Sequence, residues 1–206
     1  MRPPRDLNLD VALAALGITD DVDCRLIDLP GGQVAAVSYV DRAEAHRRRV
    51  CGLGPVVDRP LLETLGNLPY NEPIAWDDLD PLAQVQLDAA PAGCVDTSPS
   101  AVTRRYTPVL DPIVFIAAAS GRQAVEEISL FAADAKRLLI GETVTSASVT
   151  DEAAALGVGV AVSTRDRFEL VVPPSGRFVK PGPRRWFVQE RLWAAAPQLS
   201  EDQALR

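Results

Sequence analysis

The sequence predicts an α/β fold, or its α+β variant: a mixed, partly parallel sheet flanked by helices, joined to a smaller N-terminal helix-plus-hairpin region. Three observations lead there. Residues 113–119 form a continuous apolar run too short for a helix of its own, which suits a strand buried on both faces. From Val125 onward, Ile128, Phe131, Ala132, Ala135, Leu138 and Leu139 recur at helical spacing. Gln123, Glu126, Glu127, Asp134 and Arg137 fall largely on the opposite side, so a long helix is expected over residues 122–140. Short β-prone runs at 143–149, 158–162 and 168–172 then alternate with an Ala-rich helical stretch ending at Leu156, and strands alternating with helices imply crossovers and parallel pairing.

The earlier elements follow from caps and breakers. Asn8 can cap a short helix carrying Leu9, Ala12, Leu13 and Leu16 on one face, with Gly17 closing it in a left-handed turn. Residues 24–29 and 33–40 flank Pro30-Gly31-Gly32 and read as a hairpin. The charged stretch 41–49 is compatible with a helix. Asp58 and Pro60 start a helix through Leu61, Leu62 and Leu65 that Gly66 stops, and Asp80-Pro81 starts another that carries Leu82, Val85 and Leu87 inward. Residues 91–108, rich in Pro, Ser, Thr, Gly and Ala, read as a linker or long loop. The expected organisation is therefore an N-terminal region over 1–90, a linker over 91–108, an α/β domain over 109–196 and a tail over 197–206.

Composition narrows the function classes. With 206 residues and 47% apolar content the chain can bury a core. A net charge of -7 argues against coating nucleic acid or an anionic membrane through the overall field, so any such contact must be local. No run approaches the roughly 20 apolar residues needed to span a bilayer, and the start of the chain lacks an unbroken apolar stretch, so a soluble, cytoplasmic protein is expected. Cys24, Cys51 and Cys94 are odd in number and widely spaced, without metal-ligand rhythm, which fits a reducing compartment.

The order of elements after residue 109, with Ala155-Leu156-Gly157-Val158-Gly159-Val160-Ala161-Val162 near its end, resembles the C-terminal half of the restriction-endonuclease-like PD-(D/E)XK superfamily. The resemblance covers about a third of the chain and is structural rather than motif-exact. It implies a central strand ending in acid-x-Lys, then helix, strand, short helix and a further strand opening on Gly-x-Gly. In that family the carboxylates hold a divalent cation and the lysine orients water beside the scissile phosphate. On this alignment acid-x-Lys falls on Ala117 and Ala119, which can neither bind metal nor move a proton. The resemblance thus implies a catalytically incomplete scaffold, with no cofactor. A rival assignment takes Asp134-Ala135-Lys136 as the acid-x-Lys, with Asp111 and Glu127, as an active Mg2+-dependent nuclease. Helical periodicity opposes it, because it makes Asp134 and Arg137 an exposed i,i+3 pair.

Other candidates have simpler explanations. His46, the single histidine, sits in a charged run expected to be a solvated face. Asp77, Asp78 and Asp80 lack the glycine and distal glutamate of a calcium loop, and capping explains Asp80. Gly157-x-Gly159 suits close packing at a strand. Two segments interleave basic and aromatic residues: Arg104-Arg105-Tyr106, and Arg177 through Phe187 with Lys180, Arg184, Arg185 and Trp186. Such a pattern can hold phosphates while stacking on bases. Its simpler alternative is a C-terminal helix whose Trp186, Phe187, Val188, Leu192 and Trp193 dock on the core. The leading expectation is a non-enzymatic accessory or regulatory binding module with a protein partner, or nucleic acid at this basic patch. A third reading is a subunit of an assembly, such as a homo-oligomer.

Overall fold

The computed structural model describes residues 9–18, 22–29, 32–131, 135–143, 146–164, 168–176 and 182–195. The chain divides into two compact units, each built from two segments: residues 1–39 with 112–179, and residues 40–111 with 180–206. The fold is mixed α/β. None of the described helices is long and apolar enough to cross a membrane.

The first unit holds helix α1 (Leu9–Ala15), strands β1 (Val22–Leu29) and β2 (Gly32–Val40), and most of β6 (Leu110–Ala118). It continues with α5 (Arg122–Ser129), β7 (Lys136–Gly141), α6 (Ala147–Ala155), β8 (Val158–Ser163) and β9 (Phe168–Val172). Its sheet runs in the order β1-β2-β6-β7-β8-β9. The outer pairs β1–β2 and β8–β9 are antiparallel, and β6–β7–β8 are parallel. Residue alternation sorts the sheet into two buried faces. Ala35, Val37, Val114, Ile116, Leu138, Ile140 and Ala161 meet Ala12 and Leu13 of α1 on one of them. Helices α5 and α6 pack on β7 and β8, and Phe115 meets Phe131 with ring centroids 4.4 Å apart.

The second unit contains α2 (Arg42–Cys51), α3 (Arg59–Asn67), β3 (Pro73–Ala75), a 3-10 turn (Trp76–Asp78), α4 (Pro81–Asp88), β4 (Val95–Thr97), β5 (Ala101–Arg104) and α7 (Pro183–Ala194). Three of its helices start on an aspartate that accepts a hydrogen bond from the backbone N–H three residues on: Asp41 from Glu44, Asp58 from Leu61 and Asp80 from Ala83. Its core gathers Leu53, Val56, Leu61, Leu62, Leu65, Leu87, Cys94, Val102, Tyr106 and Trp186.

Several expectations are corrected. The helix expected over 122–140 ends at Ser129, and Lys136–Gly141 is a strand between β6 and β8. The reason is tertiary: residues 137–140 are buried and paired on both sides, which a short apolar run permits as readily as a helix does. The strand expected at 143–149 gives way to α6, which starts at Ala147 after Ser146. Residues 91–108, expected as a linker, supply β4 and β5 of a three-stranded sheet ordered β3-β5-β4. Strands β1 and β2 join the α/β sheet itself, and α7 belongs with residues 40–111. Gly66 does not stop α3 but lies within it, where a Cβ would come within 3.1 Å of Pro183. On α4 it is Ala83 and Leu87 that are buried; Leu82 and Val85 are each 66% exposed.

Candidate functional site

Among the described residues, the densest charged site lies inside the second unit, on a stretch whose sequence suggests a solvated surface. Helix α2 runs Arg-Ala-Glu-Ala-His-Arg-Arg-Arg-Val-Cys, and its inward face takes Glu44, Ala45 and Arg48, while His46 is exposed. Glu44 and Arg48 are one turn apart, and Arg48 Nε donates to Glu44 Oε1 at 2.9 Å. Arg48 then reaches Glu190 of α7 with both terminal nitrogens, at 2.8 and 3.0 Å, and its Nη2 also donates to the carbonyl of Thr107. Glu190, fully buried, accepts two further bonds: from Tyr106 Oη at 2.9 Å and from the Val56 backbone N–H at 2.7 Å. Arg47 grips Glu44 through two nitrogens at 2.7 Å and donates to the Gly93 carbonyl at 2.9 Å.

The titration directions follow from these contacts. Burial works against the charged form of Glu44, but the bonds and charges of Arg47 and Arg48 outweigh it and hold the carboxyl below its ordinary value. Burial likewise opposes the charge of Arg48, and Glu190 and Glu44 overcome it, so its guanidinium is held more firmly protonated than usual. Burial, then the charge of Glu190, pushes the Tyr106 phenol up. Every polar group at the centre of this network already has a protein partner. It can neither receive a proton from a substrate nor donate one without breaking a bond it already makes, and its chemical role is to join α2, the chain at Val56, residues 106–107 and α7.

The basic and aromatic residues read as a phosphate-binding patch are largely engaged nearby. Arg104 donates to the Leu65 carbonyl at 2.9 Å and lies 5.2 Å from the Trp186 ring centroid and 5.6 Å from that of Tyr70; burial holds its guanidinium below the usual value. Arg105 pairs with Asp96 at 2.6 Å and donates to Asn71 at 2.8 Å. Arg185 pairs with Asp111 at 2.5 Å, where Gln189 also donates. Arg184 is exposed. Arg177 and Lys180 lie outside the described residues. Trp186 and Leu192 are buried, and Phe187, Val188 and Trp193 are half-buried, so α7 docks as the simpler reading expects.

Ala117 is fully buried and pairs in register with Leu139, and Ala119 donates its N–H to the Ile140 carbonyl. Of the rival set, Asp111 is engaged by Arg185, Glu127 accepts a bond from Gln123 on its own helix, and Lys136 is half-buried at the first position of β7. Asp134 lies outside the described residues. Among the described residues no group of three or more His, Cys, Asp or Glu could hold a metal ion.

Arg137, which helical periodicity makes an exposed partner of Asp134, is instead 4% exposed on β7. Glu190 and Gln189 were also missed, although polar residues at i+3 and i+4 from Trp186 on a docking helix signal a buried partner. No family model matches the chain, and neither a curated protein nor a solved structure matches it.

Proposed function

We propose that this protein is a non-enzymatic accessory or regulatory module that binds another protein, on an α/β scaffold of the restriction-endonuclease-like kind whose catalytic strand carries no chemistry. The observation that carries the reading is the carboxyl half of β6. Ligands of open α/β sheets bind outside the carboxyl ends of the strands. There, Ile116 and Ala117 are fully buried aliphatic side chains, followed by Ala118 and Ala119.

The choice of protein over nucleic acid rests on the arginines. Three of the four described members of the basic patch form internal ion pairs, carbonyl bonds or ring contacts. Phosphate recognition by these groups would require breaking those contacts. Leu82 and Val85 stand exposed one turn apart on α4, beside exposed Asp77, Asp78 and Asp88, a surface chemistry that favours an apolar partner face with a basic rim.

The test uses the purified full chain with plasmid and Mg2+ or Mn2+, and with a labelled oligonucleotide at low salt. No cleavage and no salt-dependent binding are expected. Cleavage abolished by Asp134→Ala would establish the metal-dependent nuclease instead. Binding that falls steeply with salt and is weakened by the Arg184→Ala, Arg185→Ala double variant would establish a nucleic-acid partner.

A further inference from the structure

Arg137 is a buried cation to which no described residue gives a counter-ion. Its side chain leaves β7 near the amino ends of the parallel strands, in register with Phe115 on one side and Val158 on the other. Only 4% of the residue is exposed. Its Nε is buried with no hydrogen-bond partner. The bonds from its Nη2 are long, 3.4 Å to the Gly157 carbonyl and 3.5 Å to the Ser175 carbonyl. The Gly157 carbonyl already accepts a shorter bond, 3.1 Å, from the Ser175 N–H. Charged groups removed from water are ordinarily paired with an opposite charge, and these two carbonyls at the edge of hydrogen-bonding range are a weak substitute. In keeping with that, burial holds the guanidinium below its usual value.

The surroundings form a lip open to solvent. Ser175 and Gly176 are exposed and Gly157 is half-exposed. The Gly-x-Gly pair builds this approach. A Cβ on Gly157 would lie 2.5 Å from Ser175 Oγ and 3.2 Å from Arg137 Nη2, and one on Gly159 would lie 2.8 Å from Pro174. Without side chains at either position, residues 174–176 close down over the start of β8, and the Ser175 hydroxyl and the guanidinium flank the same edge of Gly157. A Cβ on Gly176 would meet Lys136 Cγ at 3.3 Å.

We propose that Arg137, with the Ser175 hydroxyl at the rim, forms a site for a single oxyanion, a phosphate or a carboxylate group. A planar guanidinium pairs both groups in bidentate fashion, and the ligand would supply the counter-charge that no described residue places there. The alternative is that Arg137 only caps the carbonyl end of α6, whose last turn leads into Gly157.

Equilibrium dialysis and thermal unfolding of the full chain separate the two. Inorganic phosphate and acetate are titrated against chloride at matched ionic strength, in the wild type and in Arg137→Met and Ser175→Ala. The site predicts saturable binding of at least one oxyanion and a rise in melting temperature with its concentration. Both should be lost in Arg137→Met and weakened several-fold in Ser175→Ala. Preference for phosphate over acetate assigns a tetrahedral ligand, and the reverse assigns a carboxylate. Glycerol 2-phosphate binding as well as phosphate would show that the group can be carried on a larger molecule. If Arg137→Met does not fold, Ser175→Ala decides. Absence of saturable binding in the wild type, or binding that neither variant weakens, overturns the proposal and leaves Arg137 as a helix cap.

Discussion

Arg48 and Glu190, 142 positions apart in sequence, face each other in the second unit through two bonds of 2.8 and 3.0 Å, with side chains 1% and 0% exposed. Removing one partner strands the other charge in the core. Arg48→Met is therefore expected to cost about 3–5 kcal/mol of stability, and Glu190→Gln a similar amount, because Glu190 also satisfies Tyr106 and the Val56 N–H. The double replacement Arg48→Met, Glu190→Gln should cost less than the sum of the single changes. Urea unfolding of the three variants measures this, and strict additivity would show that the two residues do not act as a pair.

Acid should act on Glu44. Its folded-state carboxyl is held below the ordinary value of 4.5 by Arg47 and Arg48, against the opposing effect of burial. A lowered folded value means that the unfolded chain takes up the proton first as pH falls. The stability contributed by Glu44 is thus complete above pH 4.5 and is lost as pH drops below it toward the folded value. Unfolding midpoints between pH 7 and pH 3 should show an acid limb that is shallower in Glu44→Gln, and an unchanged limb would remove Glu44 from the account.

Helix α4 offers a paired test of burial. Leu87 is 1% exposed within the second unit's core, whereas Leu82 is 66% exposed. Leu87→Ala should cost about 2–5 kcal/mol through lost burial and the cavity left behind. Leu82→Ala should stay within about 0.5 kcal/mol. Chemical denaturation of the two variants decides between this arrangement and the inward-facing Leu82 and Val85 that the sequence suggests.

What could be read in advance was local. Asp41, Asp58 and Asp80 announce their helices because the capping bond lies within three residues of the cap. The hairpin β1–β2 is legible from its turn, and β8 and β9 from β-prone runs, with prolines after β9. The stretch Lys136–Gly141 was not, because its identity as a strand is fixed by partners some twenty positions away on either side: Val114 pairs with Lys136, and Arg137 with Val158. In isolation the same leucines continue the helical period of Val125 and Ile128. The burial of Arg48 was hidden for a similar reason, since its counter-charge comes from the far end of the chain. The glycines at 157 and 159 were visible as close-packing residues, but what they pack against, Ser175 and Pro174, could be seen only once the chain had folded.

Gly93 and Cys51 give a last test of how tightly the second unit is closed. Gly93 has φ 88°, a left-handed conformation that costs a side-chain-bearing residue about 1–2 kcal/mol. A Cβ there would also lie 2.5 Å from Cys51 Sγ, beside the Arg47 guanidinium that holds the Gly93 carbonyl. Gly93→Ala should therefore destabilise through both backbone and contact. Cys51→Ala in the same chain should recover the part due to the sulfur while leaving the backbone part in place. In the unsubstituted protein, exposed Cys51 should react with a thiol reagent before unfolding. Cys94, fully buried with its thiol pushed up to about 11 by burial, should react only after it. Peptide mapping after brief alkylation reads the second outcome and thermal unfolding the first. Full recovery in the double variant would mean that the strain at Gly93 is entirely the sulfur contact.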